Sequence, residues 1–140
     1  MATARERAAS VVLGGNGDLL VIRRVRDGSH YCVLPGGGVE DDEAPCDAVL
    51  RELREETGLD GHVESHLGTY KHSDRVAHYY LVSAEPGPLR LGGPELQLQS
   101  VANRHSPTWI LLSELDSENL HPEEIRPLLR SVGSGGTVVS

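Results

Sequence analysis

The chain has 140 residues, which suits one domain with a core of ordinary size, and its formal net charge of -8 disfavours broad binding to nucleic acid backbone. No apolar run approaches a membrane span, and Met1 to Ser10 carries charges but no apolar signal-peptide region. A soluble, cytoplasmic protein with no nucleic acid and no membrane partner is therefore expected.

Two cysteines, Cys32 and Cys46, lack metal-ligand spacing and read as reduced core thiols. Lys71 is the only lysine, an Arg bias that hints at a GC-rich bacterial genome.

In chain order, Ala8 to Leu13 reads as a strand, then a turn at Gly14 to Gly17, then a second strand from Leu19 to Arg24. The two together suggest a hairpin. Arg23, Arg24 and Arg26 cluster at its end, either as solvated strand-edge charge or as forks for substrate phosphates. Tyr31 to Leu34 is a short strand that feeds a glycine turn, Pro35 to Gly38, where backbone can approach a ligand.

A helix is expected from Ala44 to Thr57. Acidic Asp41, Asp42 and Glu43 lie at its positive end, Pro45 is tolerable in its first turn, and Gly58 stops it. Helical spacing puts Val49, Leu53 and Cys46 on an apolar stripe. Ala48, Glu52, Glu55 and Glu56 fall on the other face. Three like charges at that spacing repel, and gathered in a cleft they suit a hard divalent cation, magnesium, manganese or calcium rather than zinc. The bland alternative is a solvated acidic face with Arg51 supporting Glu55 at i,i+4.

Further strands are expected over Gly61 to Tyr70, Val76 to Ser83 and Thr108 to Leu112. Glu85 to Pro107, rich in Pro and Gly, reads as a long irregular connection. Pro122 opens a last helix through Leu129, with a kink at Pro127. Ser131 to Ser140 reads as a frayed tail. The expected organisation is a single domain over residues 1–132, with a flexible segment over 133–140.

The stretch GGVEDDEAPCDAVLRELREETGL, from Gly37 to Leu59, resembles the Nudix box, G-x5-E-x7-R-E-U-x-E-E-x-G-U with U aliphatic, at every fixed position. Leu34-Pro35-Gly36 resembles the family's usual lead-in. Trp109, Leu112, Glu114 and Leu115 resemble its late W-x-x-L-x-E-L segment. The resemblance implies an α/β fold, the family's α/β/α sandwich with a mixed β-sheet between helices. It also implies metal-dependent hydrolysis of a pyrophosphate bond in a nucleoside diphosphate linked to another group X, by water attack at phosphorus.

Carried onto this sequence, Glu52, Glu55 and Glu56, with the Gly36 carbonyl, are the expected ligands of one to three Mg2+ or Mn2+ ions. Glu52 would also orient or deprotonate the water, and Arg51 would hold Glu52. Glu43 is left open between metal ligand and loop brace. Substrate contacts are expected at Arg23, Gly37, Glu43 and Tyr79, with Tyr31, Tyr70, Tyr80 and Trp109 as further stackers or core.

Many family members add a glutamate outside the box. Here no carboxylate lies between Asn103 and Thr108, so Glu95 is the candidate extra base, with Glu85 and His105 as alternatives. The expected partner is a small-molecule nucleotide or other pyrophosphate. By family analogy the chain could form a homodimer. A Nudix-like binding or regulatory module without catalysis is the competing reading. A P-loop ATPase is excluded, because no Lys-Ser/Thr follows the glycine turn.

Overall fold

The structure is a computed structural model that describes residues 5–72, 74–85, 87–90 and 103–135. The strands are β1 (Arg5–Val11), β2 (Asp18–Arg26), β3 (Ser29–Val33), β4 (Gly36–Gly38), β5 (Gly61–His72), β6 (Arg75–Ala84), β7 (Asn103–Leu111) and β8 (Leu120–His121). The helices are α1 (Pro45–Thr57) and α2 (Arg126–Gly135), with 3-10 turns at Leu112–Glu114 and Glu123–Ile125.

The strands form two mixed four-stranded sheets, ordered β4-β1-β6-β5 and β7-β2-β3-β8. The β1-β6 and β3-β8 pairs are parallel and the others antiparallel. The fold is α/β, as expected. The first two strands do not form a hairpin, however. β1 spends its two edges on β4 and β6, and β2 spends its edges on β3 and β7. Past the end of β1, a Leu13–Leu19 bridge joins the two segments, flanked by bonds from Gly14 N–H to the Asp18 carbonyl at 2.8 Å and from Leu20 N–H to the Val12 carbonyl at 3.0 Å. The pairing of each strand goes instead to a long ladder with a distant strand, Arg5 to Val11 along β6 and Asp18 to Arg26 along β7.

Alternation along β1 and β6 feeds two cores, one on each face of the first sheet. Val11 and Tyr79, with flanking Ala9, Ala77 and Leu81, pack with Leu19, Val21, Ile110 and Leu129 of α2. Ala8, Val12 and Val82 pack on the other face with Ala48, Val49 and Leu53 of α1. The first sheet thus lies between the two helices.

Helix α1 ends where Gly58 adopts φ +79 and donates its N–H to the Arg54 carbonyl at 2.9 Å. Its first turn, Pro45 to Asp47, has no buried residue, so Cys46 is exposed rather than a core thiol. Ala48, which spacing alone groups with the glutamates, is fully buried. Cys32 is buried as expected.

Pro127 falls in the first turn of α2, where its missing N–H costs no intrahelical bond, so it opens the helix instead of kinking it. Pro107 sits in β7, an edge strand, where a missing ladder donor is tolerable. No helix among the described residues is long and apolar enough to cross a membrane.

Candidate active site

Two neighbouring glycines let β4 fit between its neighbours, Gly36 against β1 and Gly37 against the Glu52 side chain of α1. A Cβ on Gly36 would collide with the Ala8 carbonyl and lie 2.8 Å from the Ala9 Cα. A Cβ on Gly37 would occupy the space of the Glu52 carboxylate, 2.6 Å from its Cδ. No other residue type fits both positions as they stand.

The helix carboxylates are then held individually. Glu56, only 8% exposed, accepts the Gly36 N–H at 2.7 Å through Oε1. Arg51 Nη1 donates to Glu52 Oε2 at 3.1 Å. Glu55 Oε1 lies 3.5 Å from the same nitrogen.

Arg51 also forks onto Glu43, Nε to Oε2 at 2.8 Å and Nη2 to Oε1 at 3.0 Å, and Nη2 donates to the Gly38 carbonyl at 3.1 Å. Glu43 in turn accepts the Glu40 N–H at 3.0 Å. The Arg51 hydrogen bond, with help from that N–H, holds the Glu43 carboxyl down to about 2. The carboxylates raise the already high proton affinity of Arg51. One guanidinium thereby ties the acidic loop, the glycine strand and the helix together.

A cavity of about 740 Å³ opens between the sheets beside this assembly. Gly36, Gly37, Gly38, Glu52 and Glu56 line one side, and Tyr79 is among the residues on another. Tyr79 is 4% exposed and meets Tyr70 edge-on at 5.4 Å. Burial, with the Glu124 charge adding, pushes its hydroxyl up to about 12, so it keeps its proton.

The remaining expected residues fall elsewhere. Glu43, Arg51 and Glu55 buttress the wall without lining the cavity. Arg23 donates to Glu118 at 2.9 Å and is not among the lining residues. Glu95 lies outside the described residues.

Of the three arginines at the end of β2, candidate phosphate forks by sequence, Arg24 is the one that lines the cavity, together with His105. Arg24 Nε and Nη2 lie 3.2 and 2.9 Å from His105 Nε2. The signal was the parity of β2: its period of two separates Arg24 from Arg23. His105, 7% exposed, is part of the wall rather than a solvated loop side chain. Arg7 and Arg75 also line the cavity, and their grouping depends on a β1-β6 register that no local pattern reveals.

The donor chemistry fits a hard divalent ion: Glu52, Glu56 and Glu124 are among the residues lining the cavity, and no cysteine is. Among the described residues no three His, Cys, Asp or Glu side chains are gathered into a ready ligand set. Glu52 meets Arg51 through Oε2 and Glu56 meets the Gly36 N–H through Oε1, and each carboxylate has a second oxygen.

The family model described as NUDIX domain matches residues 3–132. A MutT-like protein of Streptomyces ambofaciens is 33% identical over 132 residues, covering 94% of this chain and 80% of that protein. An ADP-ribose pyrophosphatase of Methanocaldococcus jannaschii is 38% identical over 77 residues, covering 54% of this chain and 46% of that protein. An RNA pyrophosphohydrolase of Marinomonas sp. is 39% identical over 64 residues, covering 46% of this chain and 38% of that protein. The matches to these last two thus span less than half their length. A NUDIX-family hydrolase from Clostridium perfringens has the same fold, with a TM-score of 0.72 at 13% identity, covering 95% of this chain and 98% of that one.

Proposed function

The chain belongs to the Nudix family, and with it to the pyrophosphohydrolases; from that premise we propose that it cleaves a pyrophosphate bond in a nucleoside diphosphate linked to another group X, by metal-dependent attack of water at phosphorus. The observation that carries this reading is the glutamate row of α1, held against the glycine strand at the cavity wall by Arg51 and by the 2.7 Å bond from Gly36 N–H to Glu56.

Glu52, Glu55, Glu56 and the Gly36 carbonyl would hold one to three Mg2+ or Mn2+ ions. Such ions neutralise phosphate charge and lower the pKa of bound water. Glu52 orients the water. Arg51 fixes where Glu52 and the Gly38 carbonyl stand. Glu43 acts through Arg51, as a brace for the loop. Tyr79, protonated and buried, offers a flat donor-bearing surface to the substrate. The catalytic domain spans residues 1–132, and α2 carries regular structure on to Gly135.

Turnover of nucleoside triphosphates, nucleotide sugars including ADP-ribose, dinucleoside polyphosphates and a short 5′-triphosphorylated RNA tests this reading. Each is assayed with magnesium, with manganese and with chelator, beside Glu55→Gln. Cleavage that needs metal and falls about 100-fold in the variant supports it. No cleavage of any compound, with metal binding intact, moves the assignment to a binding module.

A further inference from the structure

Strands β1 and β6 run parallel, with Arg5 opposite Arg75 and Arg7 opposite Ala77. Alternation places Arg5, Arg7 and Ala9 on one face of β1, and Arg75, Ala77 and Tyr79 on the same face of β6. Inward along that face, Ala9, Ala77 and Tyr79 join the core. At the open end the same face carries three exposed guanidiniums.

Like charges set opposite each other across strands are destabilising. The chain has 21 acidic residues with which to relieve this. Yet among the described residues no carboxylate forms an ion pair with Arg5, Arg7 or Arg75. Glu6, next in sequence, is turned to the opposite face and lies 3.0 Å from His78. Glu43 and Glu40 lean instead to Arg51, at 2.8 and 4.0 Å.

The position of these arginines matters as much as their charge. Arg7 lies in register with Gly38, the last residue of the glycine strand. Arg7, Gly38 and Arg75 line both the main cavity and a second one, which Arg5 also borders together with the acidic loop from Glu40 to Glu43. A phosphate chain whose scissile bond lies beside Glu52, Glu56 and Gly37 can extend past Gly38 to these guanidiniums. Arginine offers a planar fork matched to phosphate oxygens.

We infer that Arg5, Arg7 and Arg75 form a phosphate-reading cluster that selects pyrophosphates bearing a further phosphate beyond the scissile pair, a 5′-triphosphate being the simplest. The inference rests on the hydrolase reading of the same cavity. It distinguishes substrates that the reaction class leaves equivalent: a triphosphate fills the cluster, and a diphosphate bridge to a neutral sugar does not.

Calorimetric titration of the metal-free protein with inorganic tripolyphosphate and with inorganic pyrophosphate tests it without turnover. The wild type is expected to bind tripolyphosphate about tenfold more tightly than pyrophosphate. Arg7→Gln and Arg75→Gln are each expected to weaken tripolyphosphate binding about tenfold, the scale of one charged hydrogen-bonding contact. Arg54→Gln, which removes the same charge from an exposed pair with Asp60, controls for net charge and should leave affinity unchanged. Equal tripolyphosphate affinity in wild type, Arg7→Gln and Arg75→Gln overturns the inference, as does a wild type that does not bind tripolyphosphate. A protein that binds tripolyphosphate through these arginines but hydrolyses nothing would overturn the hydrolase reading alone.

Discussion

Arg51 and Glu43 meet through two parallel contacts, Nε to Oε2 at 2.8 Å and Nη2 to Oε1 at 3.0 Å. The remaining reach of the guanidinium goes to the Gly38 carbonyl and to Glu52, both at 3.1 Å. Lysine carries the same charge but only a compact ammonium without the planar fork, so Arg51→Lys cannot span Glu43, the Gly38 carbonyl and Glu52 together. Glu52 would then lose its fixed orientation while the box keeps its composition. The expected outcome is a fall in kcat of about 10- to 100-fold with a smaller change in KM, since small misplacements of a positioned group reach that scale. Steady-state kinetics on the best substrate of the panel decides it. Wild-type kcat in this variant would remove Arg51 from the positioning scheme.

The same contact fixes the sign of a pH effect. Arg51 and the Glu40 N–H hold Glu43 at about 2, below its ordinary 4.5. A carboxylate with a depressed folded-state value contributes stability above its unfolded value, and that contribution drains away as pH falls toward the folded value. Glu43→Gln should therefore melt below the wild type at neutral pH. The gap should close as the solution is acidified from about 4.5 toward about 2. Thermal melts of both proteins across that window isolate Glu43 from the other carboxylates, which titrate in both. A gap of constant size would show that the charge on Glu43 contributes nothing to the fold.

Gly36 and Gly37 are adjacent, yet an added methyl meets different obstacles. At Gly36 it meets the backbone of Ala8 and Ala9, which cannot move without opening the β1-β4 ladder. Gly36→Ala is expected to cost about 1–3 kcal/mol of stability, the usual scale for forced packing. At Gly37 it meets only the end of the Glu52 side chain. Gly37→Ala should displace that carboxylate, leave the midpoint of denaturation nearly unchanged and lower turnover about 100-fold. Chemical denaturation and kinetics on the two variants should rank them oppositely. The reverse ranking would mean that Glu52 is structural and not positioned for chemistry.

How much of this was legible beforehand depends on range along the chain. Helix α1 and its stop at Gly58 are local facts, set by residue type and helical period, and the structure places them as the sequence implied; of the glutamate row, Glu52 and Glu56 line the cavity and Glu55 does not. Cys46 belongs to the same period, but it stands in the first turn of the helix, where no residue is buried, and which turns of a helix are covered is not local. Arg23 and Arg24 looked interchangeable. β2 turns one toward Glu118 and the other toward His105, and the face that holds the cavity is set by the pairing of β2 with β7, some eighty residues on. Arg5 and Arg75 are equally remote and become neighbours only through the parallel β1-β6 register. The acidic face of the helix could be read directly, whereas the grouping of Arg5, Arg7 and Arg75 required the tertiary fold.

Glu56 allows brace and chemistry to be separated at one position. Its Oε1 accepts the Gly36 N–H at 2.7 Å in a nearly closed setting. Glutamine keeps an oxygen acceptor there and gives up the charge. Alanine gives up both and leaves the Gly36 N–H without that acceptor. Losing the acceptor is expected to cost about 1–3 kcal/mol of stability, so Glu56→Ala should be clearly destabilised and Glu56→Gln should stay close to the wild type. Turnover should fall about 100-fold or more in both, because a neutral amide is a weaker ligand than a carboxylate for a hard divalent ion and does not balance its charge. If the side chain served only to pin the glycine strand, Glu56→Gln would keep wild-type kcat. Measuring stability and kcat on the two variants therefore shows whether the carboxylate is needed for its charge or only for its oxygen.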